Sequence, residues 1–120
     1  VIYLKSDIGK NTGDIYSYSG DKNIKLSNAA NAMKIENSKD IVILKKYDDS
    51  SSVITADYYV IDDDGEELVS ENIDVGTFVM NSFGDSAYIS ESDNSKTLFV
   101  YSDGKSQQID SDVIEIMLFN

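Results

Sequence analysis

An all-β chain assembled from repeats is what this sequence predicts, and three observations predict it. Asp14-Ile15-Tyr16-Ser17-Tyr18, Asp57-Tyr58-Tyr59-Val60-Ile61 and Thr97-Leu98-Phe99-Val100-Tyr101 each lead into a Gly-bearing turn, at Gly20, Gly65 and Gly104, and then into a polar strand. Their first residues lie 43 and 40 residues apart, a period that marks repeat arrays built from one supersecondary unit each. Tyr, Ile, Val and Phe gather in short runs with Gly, Asn, Asp and Ser between them, the pattern of strands and hairpins. No helical periodicity persists. Proline is absent, so Gly, Asn and Asp must make the turns.

Superposing the copies gives a grammar of four strands per unit. In the third copy an apolar opening strand, 77–81, ends in the turn Phe83-Gly84-Asp85 and is followed by a second strand, 87–91, and a polar loop, 92–96. The third strand is 98–101, the turn is Ser102-Asp103-Gly104, and the fourth, more polar strand is 106–110. The second copy repeats this with strands 32–36, 41–46, 57–61 and 67–71 and turns at 38–40 and 62–65. The first copy lacks an opening strand: it runs 1–5, 15–18 and 23–27. Residues 28–35 hold an Ala-rich stretch with local helix propensity, but it is short and falls where the repeat demands a strand. A last segment, 114–119, reads as an opening strand with no strands after it.

Twelve strands, in units of about 1–27, 32–71 and 77–110 with a final opening strand at 114–119, point to a β-propeller-like repeat of about three four-stranded antiparallel blades within a single domain, 1–120. Ile41-Val42-Ile43-Leu44 and Tyr58-Tyr59-Val60-Ile61 are apolar at every position, so both faces of those strands expect a neighbour. Closed propellers have about four to eight blades. Three blades therefore imply either a piece of a longer propeller or half of a six-bladed ring made by two copies, each lending its last strand to the other's first blade.

Composition excludes several kinds of chemistry. The net charge is −12, from 10 Lys, no Arg and 22 Asp plus Glu, so the surface repels nucleic-acid phosphates and anionic lipid headgroups. Cys and His are both absent. That removes thiolate nucleophiles, disulfides, Ser-His-Asp and Cys-His machinery and His-based zinc sites. The longest apolar run, 113–119, contains Glu115 and is far below the ~20 residues that span a bilayer. With Val1 preceded by no basic and apolar leader pattern, the expectation is an excised or processed segment.

An opening strand, a turn such as Asn37-Ser38-Lys39-Asp40 or Phe83-Gly84-Asp85, a strand such as 41–46, then Asp57-Tyr58-Tyr59-Val60-Ile61-Asp62-Asp63-Asp64-Gly65 and a polar strand resembles the repeat of TolB-like and prolyl-oligopeptidase-type propellers. It looks closer still to the propeller segments of surface-anchored proteins of Gram-positive bacteria. The resemblance covers nearly the whole chain and is structural. It implies an extracytoplasmic scaffold, at the cell surface or secreted, used for protein or ligand binding, and it carries no functional residues over.

The candidate sites each have a structural reading beside the chemical one. Asp62-Asp63-Asp64-Gly65 offers the clustered carboxylates of a Ca²⁺ loop, yet the spacing completes no recognised calcium motif. A hairpin turn explains the same letters, because Ser19-Gly20 and Asp103-Gly104 stand in equivalent places. Asp48-Asp49 reads as a solvated loop. The opening strands align Glu36, Asn81 and Asn120 at one position, where they would line a central channel or bind a small ligand. Only one of the three is acidic, so the acid pair of a glycosidase is not evident. The eight tyrosines, among them Tyr16, Tyr18, Tyr58, Tyr59 and Tyr101, read first as packing between blades. A binding surface is expected instead on the loops 8–13, 48–55 and 92–96.

The functional expectation is a non-catalytic binding or interaction module without cofactor or metal, its partner a protein or a glycan. A self-associating unit that forms a six-bladed homodimer is the alternative. A calcium- or carbohydrate-binding domain is the third reading.

Overall fold

The computed structural model describes residues 1–35, 40–92 and 95–118. Ten antiparallel strands form one open sheet, with no α-helix among the described residues. The strands are β1 (Ile2–Ser6), β2 (Gly13–Ser19), β3 (Lys22–Lys34), β4 (Ile41–Asp48), β5 (Thr55–Asp62), β6 (Gly65–Asp74), β7 (Val79–Met80), β8 (Ser86–Ser92), β9 (Ser95–Ser102) and β10 (Lys105–Ser111). Their order is β1-β2-β3-β4-β5-β6-β8-β9-β10, with β7 also on β8. A single 3₁₀ turn, Val75–Thr77, interrupts the path between β6 and β7, and Asp74 Oδ1 caps it by accepting from the Gly76 amide at 2.9 Å.

The tight turns fall where the repeat puts them. Gly20 and Asp21 (φ 56° and 65°) sit between the paired residues Ser19 and Lys22, and Asp103 and Gly104 (φ 52° and 76°) between Ser102 and Lys105. Two central residues with positive φ define the type I′ turn, whose twist matches that of a hairpin. At the middle turn Gly65 carries the positive φ (111°), and Asp62 Oδ1 accepts from the Asp64 amide at 2.8 Å.

The strand count corrects the expectation of twelve. A closing strand and the next opening strand were expected to be separate, at 23–27 and 32–36 and again at 67–71 and 77–81. Most of the first pair is instead one long strand, β3, while the second pair stays separate as β6 and the short β7 with the 3₁₀ turn between them. The first part of β3 pairs with β2, from Lys22 to Ala30, and its last part, Ala30 to Lys34, pairs with β4 on the opposite side. Likewise β6 pairs along β5, and its Ile73 also meets Ser90 of β8. The join is made inside the ladder, by bulges beside Ala29 and Asn72, each at φ 53°. A third such residue, Asp112 at φ 60°, stands at the corresponding place after β10. Residues 113–118 make no ladder, and Val113 donates its amide to the Lys96 carbonyl at 3.1 Å.

Asn and Asp tolerate the left-handed region, whereas Ala in it is strained by about 1–2 kcal/mol. Ala29 is exposed, so nothing offsets that strain. Ala29→Gly is expected to raise the unfolding free energy by about 1 kcal/mol, and Ala29→Val to lower it, as read from urea midpoints at constant m.

These shared strands divide the sheet into three hairpin units stacked face to face. Unit one holds β1, β2 and the start of β3; unit two holds the end of β3, β4, β5 and most of β6; unit three holds the end of β6 and β7 to β10. Alternation along β4 explains why every residue of Ile41-Val42-Ile43-Leu44 is apolar. Ile41 and Ile43, with Tyr59 and Ile61 of β5, pack on Ile2, Leu4, Ile15 and Leu26 of unit one. Val42 and Leu44, with Tyr58 and Val60, pack on Met80, Tyr88, Phe99 and Tyr101 of unit three. Unit two is thus the middle layer, covered on both faces as a fully apolar strand requires.

Candidate functional site

Because the sheet faces between units are spent on packing, groups free to meet a ligand lie at strand ends and on the outer faces. The loops after β1 and β4 run along one rim, the rim at which β3 and β6 pass from one unit to the next. Loop 7–12 is held by its own bonds: the Asp7 amide donates to the Thr12 carbonyl at 2.9 Å and Thr12 Oγ1 to Asp7 Oδ2 at 3.0 Å. Asn31 ties it to the crossover, its Nδ2 donating to the Asn11 carbonyl while its Oδ1 accepts from the Tyr47 amide. Loop 49–54 meets the second crossover, where Val75 donates to the Ile54 carbonyl at 3.0 Å. Two of the expected binding loops, 8–13 and 48–55, are therefore on the same rim. Each presents an isoleucine to solvent, Ile8 fully and Ile54 by 45%. The third, 92–96, lies partly outside the described residues.

Beside the first loop is a recess of about 260 Å³, with Leu4 and Ala30 at its base and Lys10, Asn11, Thr12 and Asn31 around it. A second, of about 270 Å³, lies over Lys25, Ser27, Asn28 and Glu66. It borders a polar group that links three strands. Lys45 Nζ contacts Glu66 Oε1 at 2.8 Å and lies 4.9 Å from the centre of the Tyr59 ring, and Ser27 Oγ donates to the same Glu66 oxygen at 2.6 Å. Lys45 keeps only a tenth of its side chain in water. Its carboxylate partner and the tyrosine face are what make burial of the ammonium tolerable.

Sequence reasoning passed over this network because its members come from β3, β4 and β6 and no local spacing relates them. Its role is to join units one and two, and the two partners are not equivalent. Glu66→Ala is expected to cost about 1–3 kcal/mol, since it strands a buried cation. Lys45→Met leaves a carboxylate that water still reaches and is expected to change stability by less than about 1 kcal/mol, checked by thermal unfolding of both variants.

The acidic candidates behave as turn residues. Asp62 accepts from the Asp64 amide, as above, and Asp63 and Asp64 form the turn between the paired residues Asp62 and Gly65. Among the described residues no three carboxylates converge as metal ligands. Asp48 accepts from the Ser50 amide at 2.9 Å, and bonds from the Ser50 side chain and backbone hold its carboxyl below the usual range. Asn81 is engaged in its own turn: its Oδ1 accepts from the amides of Phe83 and Asp85 at 2.9 and 3.0 Å. Glu36 and Asn120, aligned with it in sequence, lie outside the described residues, as does most of the expected turn 38–40.

Of the tyrosines, Tyr58 and Tyr88 are wholly buried between units two and three and Tyr101 nearly so. Burial pushes the Tyr58 and Tyr101 hydroxyls above the ordinary range, and Asp40, Glu67 and Asp62 add to the effect at Tyr101. Tyr3 and Tyr16 differ. They stack on the outer face of unit one with ring centres 5.4 Å apart.

No described helix is long and apolar enough to cross a membrane. Set beside known protein families, curated proteins and solved structures, the chain matches none of them.

Proposed function

We propose that the chain is a non-catalytic interaction module, a propeller-type segment of a larger extracytoplasmic protein, its three hairpin units serving as blades. One observation carries the reading: three hairpin units, joined at the equivalent residues Ala29 and Asn72, pack their sheet faces on each other and leave the loops on a common rim. A rigid scaffold with loops free at one end is a construction that favours binding. Ile8 and Ile54 are the apolar contacts that rim offers, and a protein or glycan surface is the class of partner. The placement outside the cytoplasm rests on the likeness of the repeat to propeller segments of bacterial surface proteins.

Peptide and glycan arrays probed with the labelled chain and with the double variant Ile8→Ser, Ile54→Ser test this. The expected result is selective retention on one ligand class, reduced at least about tenfold in the variant, a loss of about 1.4 kcal/mol of binding, with unchanged melting temperature. No selective retention, or equal retention of both proteins, would overturn the reading.

A further inference from the structure

We propose that Asp103 is a site of spontaneous backbone isomerisation to isoaspartate, and that the fold holds back the same reaction at Asp64. The reaction needs an aspartyl carboxyl and, on the following residue, a main-chain nitrogen that can reach it. Glycine best allows that approach, because it has no Cβ to crowd the ring that forms. Of the seven glycines two follow an aspartate, Gly65 after Asp64 and Gly104 after Asp103, and none follows an asparagine.

Exposure does not separate the two dipeptides. All four residues are exposed, and each glycine has open space where a Cβ would stand. Both dipeptides lie at hairpin turns on the rim opposite the loops 7–12 and 49–54, since successive antiparallel strands turn back at alternate ends.

The backbone does separate them. In the β9–β10 hairpin the paired residues are Ser102 and Lys105, so Asp103 and Gly104 are the central residues of the type I′ turn and the amide that closes it is that of Lys105. The Gly104 nitrogen stands outside the ladder. In the β5–β6 hairpin the pair is Asp62 and Gly65, with Asp63 and Asp64 central, so the amide that closes this turn is that of Gly65 itself. The nitrogen that would attack Asp64 is the one that holds its hairpin shut. Asp62 Oδ1 adds a second restraint by accepting from the Asp64 amide at 2.8 Å.

The chemistry needs only water. The Gly104 nitrogen bonds to Asp103 Cγ, and the carboxyl hydroxyl leaves with the amide proton as water, which closes a succinimide. Water then adds to one of the two ring carbonyls. Addition at Cγ restores aspartate. Addition at the main-chain carbonyl carbon, with cleavage of its bond to nitrogen, leaves the chain running through Cγ as isoaspartate. Mass is unchanged, and one carbon has entered the backbone. The lengthened turn no longer matches the register of Ser102 with Lys105, so the modification loosens β10 on β9.

The test holds the folded chain at neutral pH for weeks beside the same chain unfolded in guanidinium chloride. Isoaspartate at each residue is then measured by proteolytic digestion and electron-transfer fragmentation, which distinguishes the isomers. The ratio of isoaspartate at Asp103 to that at Asp64 is expected to be about two- to tenfold higher in the folded chain, the factor that one hydrogen bond confers. A ratio that folding leaves unchanged or lowers, or no isoaspartate at Asp103, would overturn the proposal. Asp103→Asn and Asp64→Asn, made singly, give a second readout, because hydrolysis of their succinimides leaves an acid where an amide stood and shifts the mass. Asparagine suits both turns. The folded Asp103→Asn protein is expected to gain that mass faster than the folded Asp64→Asn protein, and the reverse order would also overturn the assignment.

Discussion

Tyr58→Ala is expected to lower the unfolding free energy by about 3–5 kcal/mol, the range for deleting a fully buried aromatic ring from a packed core. Tyr58 has no exposed surface and lies where unit two meets unit three. Its ring makes edge contacts with Phe78, Tyr88 and Tyr101 at centroid distances of 5.2, 5.4 and 5.7 Å, and its hydroxyl shares a 2.8 Å hydrogen bond with Ser86 Oγ. No single side chain can refill that volume, because the neighbours are themselves large rings fixed on strands. Tyr58→Phe keeps the ring and leaves the buried Ser86 hydroxyl unpaired, so its expected cost is smaller, about 1–2 kcal/mol, read from urea midpoints.

The same hydroxyl makes the fold sensitive to alkali. Burial holds the Tyr58 proton on in the folded state to higher pH than in the unfolded chain, where a tyrosine ionises near pH 10. Above pH 10 the unfolded state therefore binds fewer protons than the folded state, and stability falls with rising pH. One such group supplies a slope of up to about 1.4 kcal/mol per pH unit, while below pH 10 its contribution is fully present. Tyr58→Phe is expected to flatten the stability profile between pH 10 and 11 although it lowers stability at pH 8. Parallel profiles for the two proteins would show that other groups set the alkaline limb.

Much of this architecture is legible in the residues. The runs Ile41-Val42-Ile43-Leu44 and Tyr58-Tyr59-Val60-Ile61 announce strands covered on both sides, and β4 and β5 are the middle layer. Gly20, Gly65 and Gly104 mark turns that the backbone makes with positive φ. The merging of closing and opening strands is illegible because Ala29, which makes the first join, has no local preference for the left-handed region. Asn72 and Asp112 do have that preference, and their spacing from one another repeats the period of the chain. The Lys45–Glu66–Ser27 network is hidden for a different reason: it is made by folding three strands together. The turn role of Asn81 is hidden likewise, because its alignment with Glu36 and Asn120 gives no sign that its Oδ1 accepts from the amides of Phe83 and Asp85.

Ile43→Ala is the complementary experiment to Tyr58→Ala, because the two side chains stand on opposite faces of the middle layer. Ile43 is fully buried with Ile15, Ile41 and Ile61 where unit one meets unit two, and its truncation is expected to cost about 2–5 kcal/mol. In an array whose units touch only their neighbours, stability is a sum of unit and interface contributions, and a weakened interface frees the unit beyond it. Amide exchange should then accelerate in β1 and β2 of the Ile43→Ala protein while β8 and β9 keep their protection. In Tyr58→Ala the order should reverse, with β8, β9 and β10 released first. Uniform acceleration across all strands in both variants would mean that the sheet opens as one cooperative body, with the long strands β3 and β6 transmitting each loss across their bulges. The asymmetry, where it is found, measures how far three stacked hairpins behave as separate units despite forming a single sheet.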